Sequence, residues 1–503
     1  MTDFSILGKN VRYLKEQDFF KDLNLDSLFC VIFEHAPFSL GGLESYCYQM
    51  PQDLETVRYR QQVIQALREK ETEQHFRDFL QKMHRAMECK EYAVQLVEGD
   101  GCAHWHLQAA YIYYQAVDQL MVFLQKNNIT GFEELLAYCQ QLSGTFEYQT
   151  AHDCAVSVYE ELDKLRYSMY IEGDHIRILS EVEADDILGK IREKVEGYIE
   201  MSGRLPRLLP GSLSGTKLEE QIFAYLEKKK PQVFQDMRQF SVEYKEPFDK
   251  TMMNFCQEIS LYLCFLSFYQ RMEQYGFLFC LPEFTDGEMR VTGGYDLSLA
   301  YKNHMEGKAT IANDYYFSGM EHFFVVTGAN QGGKTTFGRS VGQLVYLTNM
   351  GLPVPAASAR LPYFSGLVTH FSVEESMESG RGKLQEELTR LAPIMHEESR
   401  NLFVIINELF TSAATYDAFK MGRQVIRHFL KHDCYGIYVT HIEELAKENE
   451  QIVSLVALLQ EGSKSLRTYK IVRQPAEGKG YVDAIVDQFG LSYEEIIRRL
   501  SNV

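Results

Sequence analysis

The chain lacks the features that would place it outside a reducing, aqueous compartment. Its ten cysteines stand singly, from Cys30, Cys47, Cys89 and Cys102 on to Cys434, with no C-x-x-C pair and no His/Cys cluster at metal-ligand spacing. Neither a zinc module nor a disulfide framework is indicated. The N-terminus, MTDFSILGKNVRYLKEQDFF, has no apolar stretch of the signal-peptide kind, and the longest apolar run, Ile259 to Tyr269, is too short to span a bilayer. These absences predict a soluble cytoplasmic protein with no membrane contact. Basic charge is short as well. Ile311 to the end holds 19 of the 51 Lys+Arg and 22 of the 70 Asp+Glu, so residues 1–310 keep 32 against 48, a net charge of −16 within a total of −19. A protein that grips nucleic acid through its phosphates ordinarily presents a basic face. Any such contact here must come from a local patch on an acidic body.

What is present is enough chain, 503 residues, for two or three domains with their own cores. Residues 1 to about 165 read as helical, because Val63, Ile64 and Leu67 and then Phe76, Phe79, Leu80 and Met83 recur at helical spacing between Glu, Lys and Gln. Ser168 to Leu179 has β-favouring residues on both sides of Glu172-Gly173-Asp174 and predicts a small hairpin. A Pro/Gly/Ser-rich segment, Leu205 to Gly215, follows, and then a long helix from about Pro247 to Tyr275. From Leu281 onward short β-branched runs alternate with amphipathic helices: Phe323 to Thr327, Leu367 to Phe371, Leu402 to Ile406 and Ile437 to Thr440. That alternation predicts a mostly parallel sheet covered on both faces. The expected architecture is multidomain, α followed by α/β, with a helical domain over 1–280 and a nucleotide-binding domain over 281–503.

The chemistry concentrates in FFVVTGANQGGKTTFGRSVGQLVYL, which carries Gly328-x4-Gly333-Lys334-Thr335, the pattern of a P-loop. In such a loop Gly328, Asn330, Gly332 and Gly333 let backbone N–H groups converge on phosphates, with Thr336 in the first helical turn. Lys334 reaches the β and γ oxygens, and Thr335 offers its hydroxyl to Mg²⁺. A chance match arises in about 2% of chains this long, and the buried strand before the loop and amphipathic helix after it reduce that reading further. A second apolar strand, Leu402 to Ile406, ends in Asn407-Glu408. Glu408 fits a base that polarises the attacking water. Asn407 stands where a Mg²⁺-shell carboxylate is usual and brings only a neutral amide oxygen, which predicts slow turnover. His441, just past the next strand, is a candidate γ-phosphate sensor, although a histidine there is more often merely packed or exposed. ATP and Mg²⁺ are the expected cofactors.

The stretch GANQGGKTTFGRSVGQLVYLTNMGLPVPA resembles the MutS mismatch-repair ATPases, whose loop reads G-x-N-x-G-G-K-[ST]-T and whose helix ends in G-x-x-V-P-A, matched by Gly351, Val354, Pro355 and Ala356. The resemblance extends over 281–503, through Glu378-Ser379-Gly380-Arg381, Thr415-Tyr416-Asp417, Thr440-His441 and the segment Lys479-Gly480-Tyr481 to Ile496-Ile497. Upstream it is fainter, at Asp53-Leu54-Glu55 with Arg58-Tyr59-Arg60-Gln61 and in the long helix before Tyr275. It implies helical core, lever and clamp-like elements followed by an ABC-type ATPase and dimerisation domain. It also implies a homodimer in which Ser379, Gly380, Gly382 and Lys383 form a signature segment that reaches the partner's nucleotide.

Several positions depart from the family. The chain begins in core-like helices, with no room for the domain that reads mismatches, so a mismatch reader is not expected. Gly382-Lys383 stand for Ser-Thr, Thr310 for the Phe that stacks on adenine, and Phe410 to Ala414 for G-R-G-T-S. The segment Arg204 to Lys230, with Arg204, Arg207, Lys217, Lys228, Lys229 and Lys230 against three Glu, is the candidate DNA contact; a solvated helix face is the competing reading. The leading expectation is a dimeric ATP-dependent clamp on duplex or branched DNA. Two alternatives stand beside it: a nucleotide-gated protein-binding scaffold without DNA binding, and an ABC-type ATPase acting on an RNA assembly.

Overall fold

The structure is a computed structural model. It describes residues 4–8, 17–34, 43–48, 50–51, 53–96, 98–172, 175–179, 217–371, 382–396, 400–459, 467–476 and 497. Arg204, Arg207, Ser379, Gly380, Lys479 and Tyr481 lie outside the described residues, as does the side chain of Lys383. Two compact units divide the chain. One comprises residues 1–6 and 66–260, the other residues 7–65 and 261–503. This differs from a single cut after residue 280, because residues 7–65 group with the C-terminal part.

Among the described residues the first unit is helical apart from a hairpin. Helix Lys70–Leu96 buries Phe76, Phe79, Leu80, Met83 and Ala86, one stripe at three- and four-residue spacing. Helix Asp100–Asn127 buries a broader face that includes Trp105, Tyr113, Tyr114 and Val117. The helices Glu133–Ser143, Phe146–Asp163, Lys217–Lys229 and Pro231–Glu243 complete the layer. Two of their starts follow capping chemistry: the Thr145 hydroxyl accepts from the Tyr148 N–H at 3.3 Å, and Pro231, which has no N–H to leave unpaired, begins its helix. The buried phenols have partners where the chain supplies them; Tyr138 donates to Asp249 at 2.7 Å. Strands β1 (Ser168–Glu172) and β2 (His175–Leu179) pair antiparallel, as the sequence predicts.

The second unit contains two sheets. Strands β3 (Glu283–Phe284), β4 (Met289–Gly294), β5 (Asn313–Phe317) and β7 (Ser358–Leu361) form a four-stranded sheet in the order β3-β7-β4-β5. Strands β6 (Phe323–Gly328), β8 (Gly366–Phe371), β9 (Leu402–Asn407), β10 (Tyr435–Val439), β11 (Ile452–Leu459) and β12 (Arg467–Arg473) form the other, in the order β12-β11-β6-β10-β9-β8. Its five strands from β11 to β8 run parallel, and β12 is antiparallel at the edge. Every residue of β9 and β10 is buried, which is why these strands read as unbroken apolar runs rather than alternating ones.

Helix Lys334–Asn349 lies between the parallel sheet and the early part of the chain. Nearly all its residues are buried, including the polar Gln343, Thr348 and Asn349. Such burial requires partners, and residues 7–65 provide several. Gln343 donates to the Leu23 carbonyl at 2.9 Å and Tyr346 to that of Cys47 at 2.7 Å. Arg60 closes the same region by donating twice to the Leu7 carbonyl, at 2.9 and 2.7 Å. Gly351, just past the helix, has φ +74 and sits so close to the backbone of 57–61 that a Cβ would lie 2.5 Å from that of Arg60. No described helix is long and apolar enough to cross a membrane.

Candidate functional site

The register of the parallel sheet assembles the site. Val326 lies beside Val439, and Val439 beside Asn407. The chain segments that leave β6, β9 and β10 therefore emerge at one edge, the carboxyl ends of the strands, where ligands of α/β sheets bind. They carry Gly328 to Gly333, Glu408, and Thr440-His441.

The loop after β6 is shaped by backbone that side chains disfavour. Gly328, Gln331 and Gly333 have φ of +113, +59 and +89, and Gly333 is the N-cap of helix Lys334–Asn349. A Cβ on Gly328 would meet the Ala457 amide nitrogen of β11 at 2.9 Å, so only glycine fits the close approach of loop and strand. The first turns of the helix face the loop, and its free N–H groups with the positive end of the dipole favour an anion there.

Lys334 is only 4% exposed. Its ammonium donates to the carbonyls of Gly328 at 3.0 Å and Ala329 at 3.1 Å. Burial lowers its pKa from the ordinary lysine value; the Arg467 guanidinium adds to that effect and the Glu408 carboxylate opposes it. A partly desolvated cation held by backbone carbonyls alone is well matched to an incoming phosphate. The Thr335 hydroxyl donates to the Asn407 amide oxygen at 3.0 Å, joining the loop to the end of β9. Glu408, the next residue, has the left-handed φ of +53 and donates its N–H to the Val439 carbonyl at 2.9 Å. Its carboxylate meets His441 Nε2 at 3.2 Å. Phe410 is left-handed too, with φ +64. Such residues cost about 1–3 kcal/mol each unless their surroundings hold them.

Lys334, Thr335, Glu408 and His441 line one cavity of about 610 Å³, whereas Gly328, Asn407 and Phe410 are not in its lining. Asn330, Gly332, Gly333, Lys334, Thr335, Thr336, Glu408 and His441 all contribute to its wall. Of the far wall, the sequence singles out Thr310 alone. That wall comes from Tyr295, Lys308, Thr310 and Asn313 around the four-stranded sheet, and from Tyr469 on β12. Asn313 is held by the Ile471 N–H, which it accepts at 2.8 Å, and Arg467 donates to the Asn330 carbonyl at 3.1 Å. Gly382 is exposed where helix Lys383–His396 begins and is not among the lining residues. Lys228, Lys229 and Lys230 are exposed at the end of helix Lys217–Lys229 in the other unit, with Lys229 over the Tyr225 ring.

The oxygens suit Mg²⁺ that arrives with a nucleotide. Thr335 and Asn407 supply two neutral oxygens 3.0 Å apart, and among the described residues no group of three or more His, Cys, Asp or Glu could cage a metal by itself. Mg²⁺ commonly takes one or two protein oxygens and completes its octahedron with water and phosphate.

Comparison with known proteins bears on the same region. Residues 324–493 match the family described as MutS domain V. This part of the chain is similar to the MutS family. The chain is 27% identical over 197 residues to the DNA mismatch repair protein MutS of Thermotoga petrophila, covering 38% of this chain and 24% of that protein. With the protein of the same description from Solibacter usitatus, identity is 29% over 174 residues, 34% of this chain and 20% of the relative. The chain thus spans about a quarter or less of the length of the curated MutS relatives it matches. The matched region contains the loop, Asn407, Glu408, His441 and Tyr469.

Proposed function

We propose that this cavity binds ATP with Mg²⁺ and hydrolyses it slowly, and that two copies of the chain use the nucleotide to close on duplex or branched DNA. The observation that carries the reading is the gathering of Lys334, the Thr335–Asn407 pair and the Glu408–His441 pair around one glycine-rich loop at the carboxyl ends of the strands. Lys334 and the loop N–H groups would hold the β and γ phosphates. Mg²⁺ bound to Thr335 would neutralise phosphate charge. Glu408 would take a proton from the water whose oxygen attacks the γ-phosphorus while the bond to the ADP oxygen breaks, and His441 keeps the carboxylate oriented.

Asn407 sets the expected pace. An amide oxygen adds no charge to the metal site, so Asn407→Asp is expected to tighten Mg²⁺ and raise turnover, by roughly tenfold. A Mg²⁺ titration of hydrolysis checks this. A slower Asn407→Asp enzyme beside a brisk wild type overturns it.

The DNA part rests on the family relation and on the exposed lysines at 228–230. An electrophoretic shift with duplex DNA, branched DNA and RNA at low and moderate salt tests it, since binding through phosphates weakens steeply with salt. Retardation of duplex or branched DNA that fades with salt is expected. The net charge of −16 over residues 1–310 favours one other reading, a nucleotide-gated protein scaffold, and failure to shift any of the three would select it. A shift of RNA alone would point to an ATPase of RNA assemblies.

A further inference from the structure

The residue after Asn407 enters the left-handed region, and so does Phe410 two residues later. Neither is glycine, so something outside this turn must hold it. On one side the Glu408 N–H extends the ladder to the Val439 carbonyl. On the other, the Phe410 N–H donates to a carboxylate oxygen of Glu387 at 3.0 Å. Glu387 comes from a different element, helix Lys383–His396, and is only 4% exposed, whereas its neighbour Leu388 is 43% exposed. The helix packs Leu384, Leu391 and Ile394 against the core in the ordinary amphipathic way, yet at these two positions it turns a carboxylate inward and an apolar residue outward. Burying a carboxylate is unfavourable unless it is bonded. The Phe410 side chain is locked as well, in the core formed by Ile406, Leu409 and Tyr438.

We infer that Glu387 is a positioning residue for the reaction: its carboxylate fixes the turn 408–410, and through it the direction in which Glu408 faces the phosphate loop. It does not reach the cavity, whose lining includes Glu408 and His441 but not Glu387. It acts through the backbone. Removal of the acceptor frees the Phe410 N–H and lets the strained turn relax, which swings the Glu408 carboxylate from its place beside His441. Nucleotide binding depends on Lys334, the loop and the helix N-terminus, none of which this turn holds. The inference rests on the proposed hydrolysis at this site and predicts a loss of rate without a loss of affinity.

The test compares Glu387→Leu, Glu387→Asp and Glu387→Gln in the full chain, by single-turnover ATP hydrolysis and by equilibrium binding of a non-hydrolysable ATP analogue with Mg²⁺. Displacement of a catalytic group by about 1 Å costs on the order of 100-fold in rate. Glu387→Leu should lose roughly 10- to 100-fold in kcat, with analogue affinity within about twofold of wild type. Glu387→Asp, one methylene shorter, withdraws the acceptor yet keeps the charge, and should fall between; it also serves if the leucine variant does not fold. Glu387→Gln keeps an acceptor oxygen and should recover most of the rate. Wild-type rates in the Leu or Asp variants overturn the role of Glu387 alone, as does a Gln variant no better than Leu, or affinity and rate falling together with the folded fraction. Absence of hydrolysis by the wild type overturns the reading of the site and this inference with it.

Discussion

Replacement of Lys334 by alanine is expected to weaken ATP binding by roughly 100-fold, about 3 kcal/mol, while the protein stays folded. The ammonium is the fixed charge nearest the end of the loop. It is buried and bonded only to the carbonyls of Gly328 and Ala329. Charge-assisted hydrogen bonds to phosphate are about twice as strong as neutral ones, and here they form in a partly desolvated pocket. The cost to the fold is small by comparison, because alanine suits a helix start and releases a cation that burial disfavours. Acid-base behaviour supplies a second readout. Burial, aided by Arg467, lowers the folded-state pKa of Lys334 from its ordinary value of 10.5, and only the protonated form attracts phosphate. Affinity of the wild type should therefore decline as pH rises through that lowered pKa, and Lys334→Ala should lose this dependence. Calorimetric titration with ATP across neutral and alkaline pH measures both effects. An unchanged affinity in a folded variant removes the phosphate-loop reading.

The parts of the molecule that sequence exposes are those whose physics is local. Strands β6, β8, β9 and β10 are visible as apolar runs because both faces of a parallel sheet are buried. Gly328, Gly333 and Lys334 are visible because a tight loop before a helix needs those residue types at that spacing. The strands β4, β5 and β7 are short and alternate buried with exposed positions, so segments such as Asn313–Phe317 carry no comparable signal. The cavity wall they form with Tyr295, Lys308 and Tyr469 depends on long-range folding. The same holds for residues 7–65. Their attachment to helix Lys334–Asn349 runs through Gln343, Tyr346 and Arg60 bonding to backbone carbonyls, and a carbonyl carries no residue-type signature. Glu387 is the sharpest instance. In sequence it is one charge on an amphipathic helix, and only its burial against the Phe410 N–H distinguishes it from its neighbour Glu386.

Glu408→Gln should abolish most hydrolysis and leave ATP bound, which makes it the variant in which assembly can be seen. A general base contributes about 10²- to 10⁴-fold to such a step, and the amide cannot take the proton while it preserves the size of the side chain. The amide oxygen or nitrogen can still meet His441, which lies 3.2 Å from the native carboxylate, so the turn should persist. With ATP no longer consumed, the proposed shared site becomes a question of mass. Gly382 is not among the residues that line the cavity within its own chain. If, as the family relation suggests, Gly382 and Lys383 serve a second copy, ATP binds the closed pair better than the separate chains and stabilises the pair by that difference. Sedimentation of Glu408→Gln is then expected to move from monomer toward dimer when Mg-ATP is added. Lys383→Ala in the same background should reduce the shift without changing ATP affinity of the monomer, because the lysine would meet only the partner's nucleotide. A species that stays monomeric with and without ATP rejects the shared site and leaves each cavity to be completed, if at all, by a different protein.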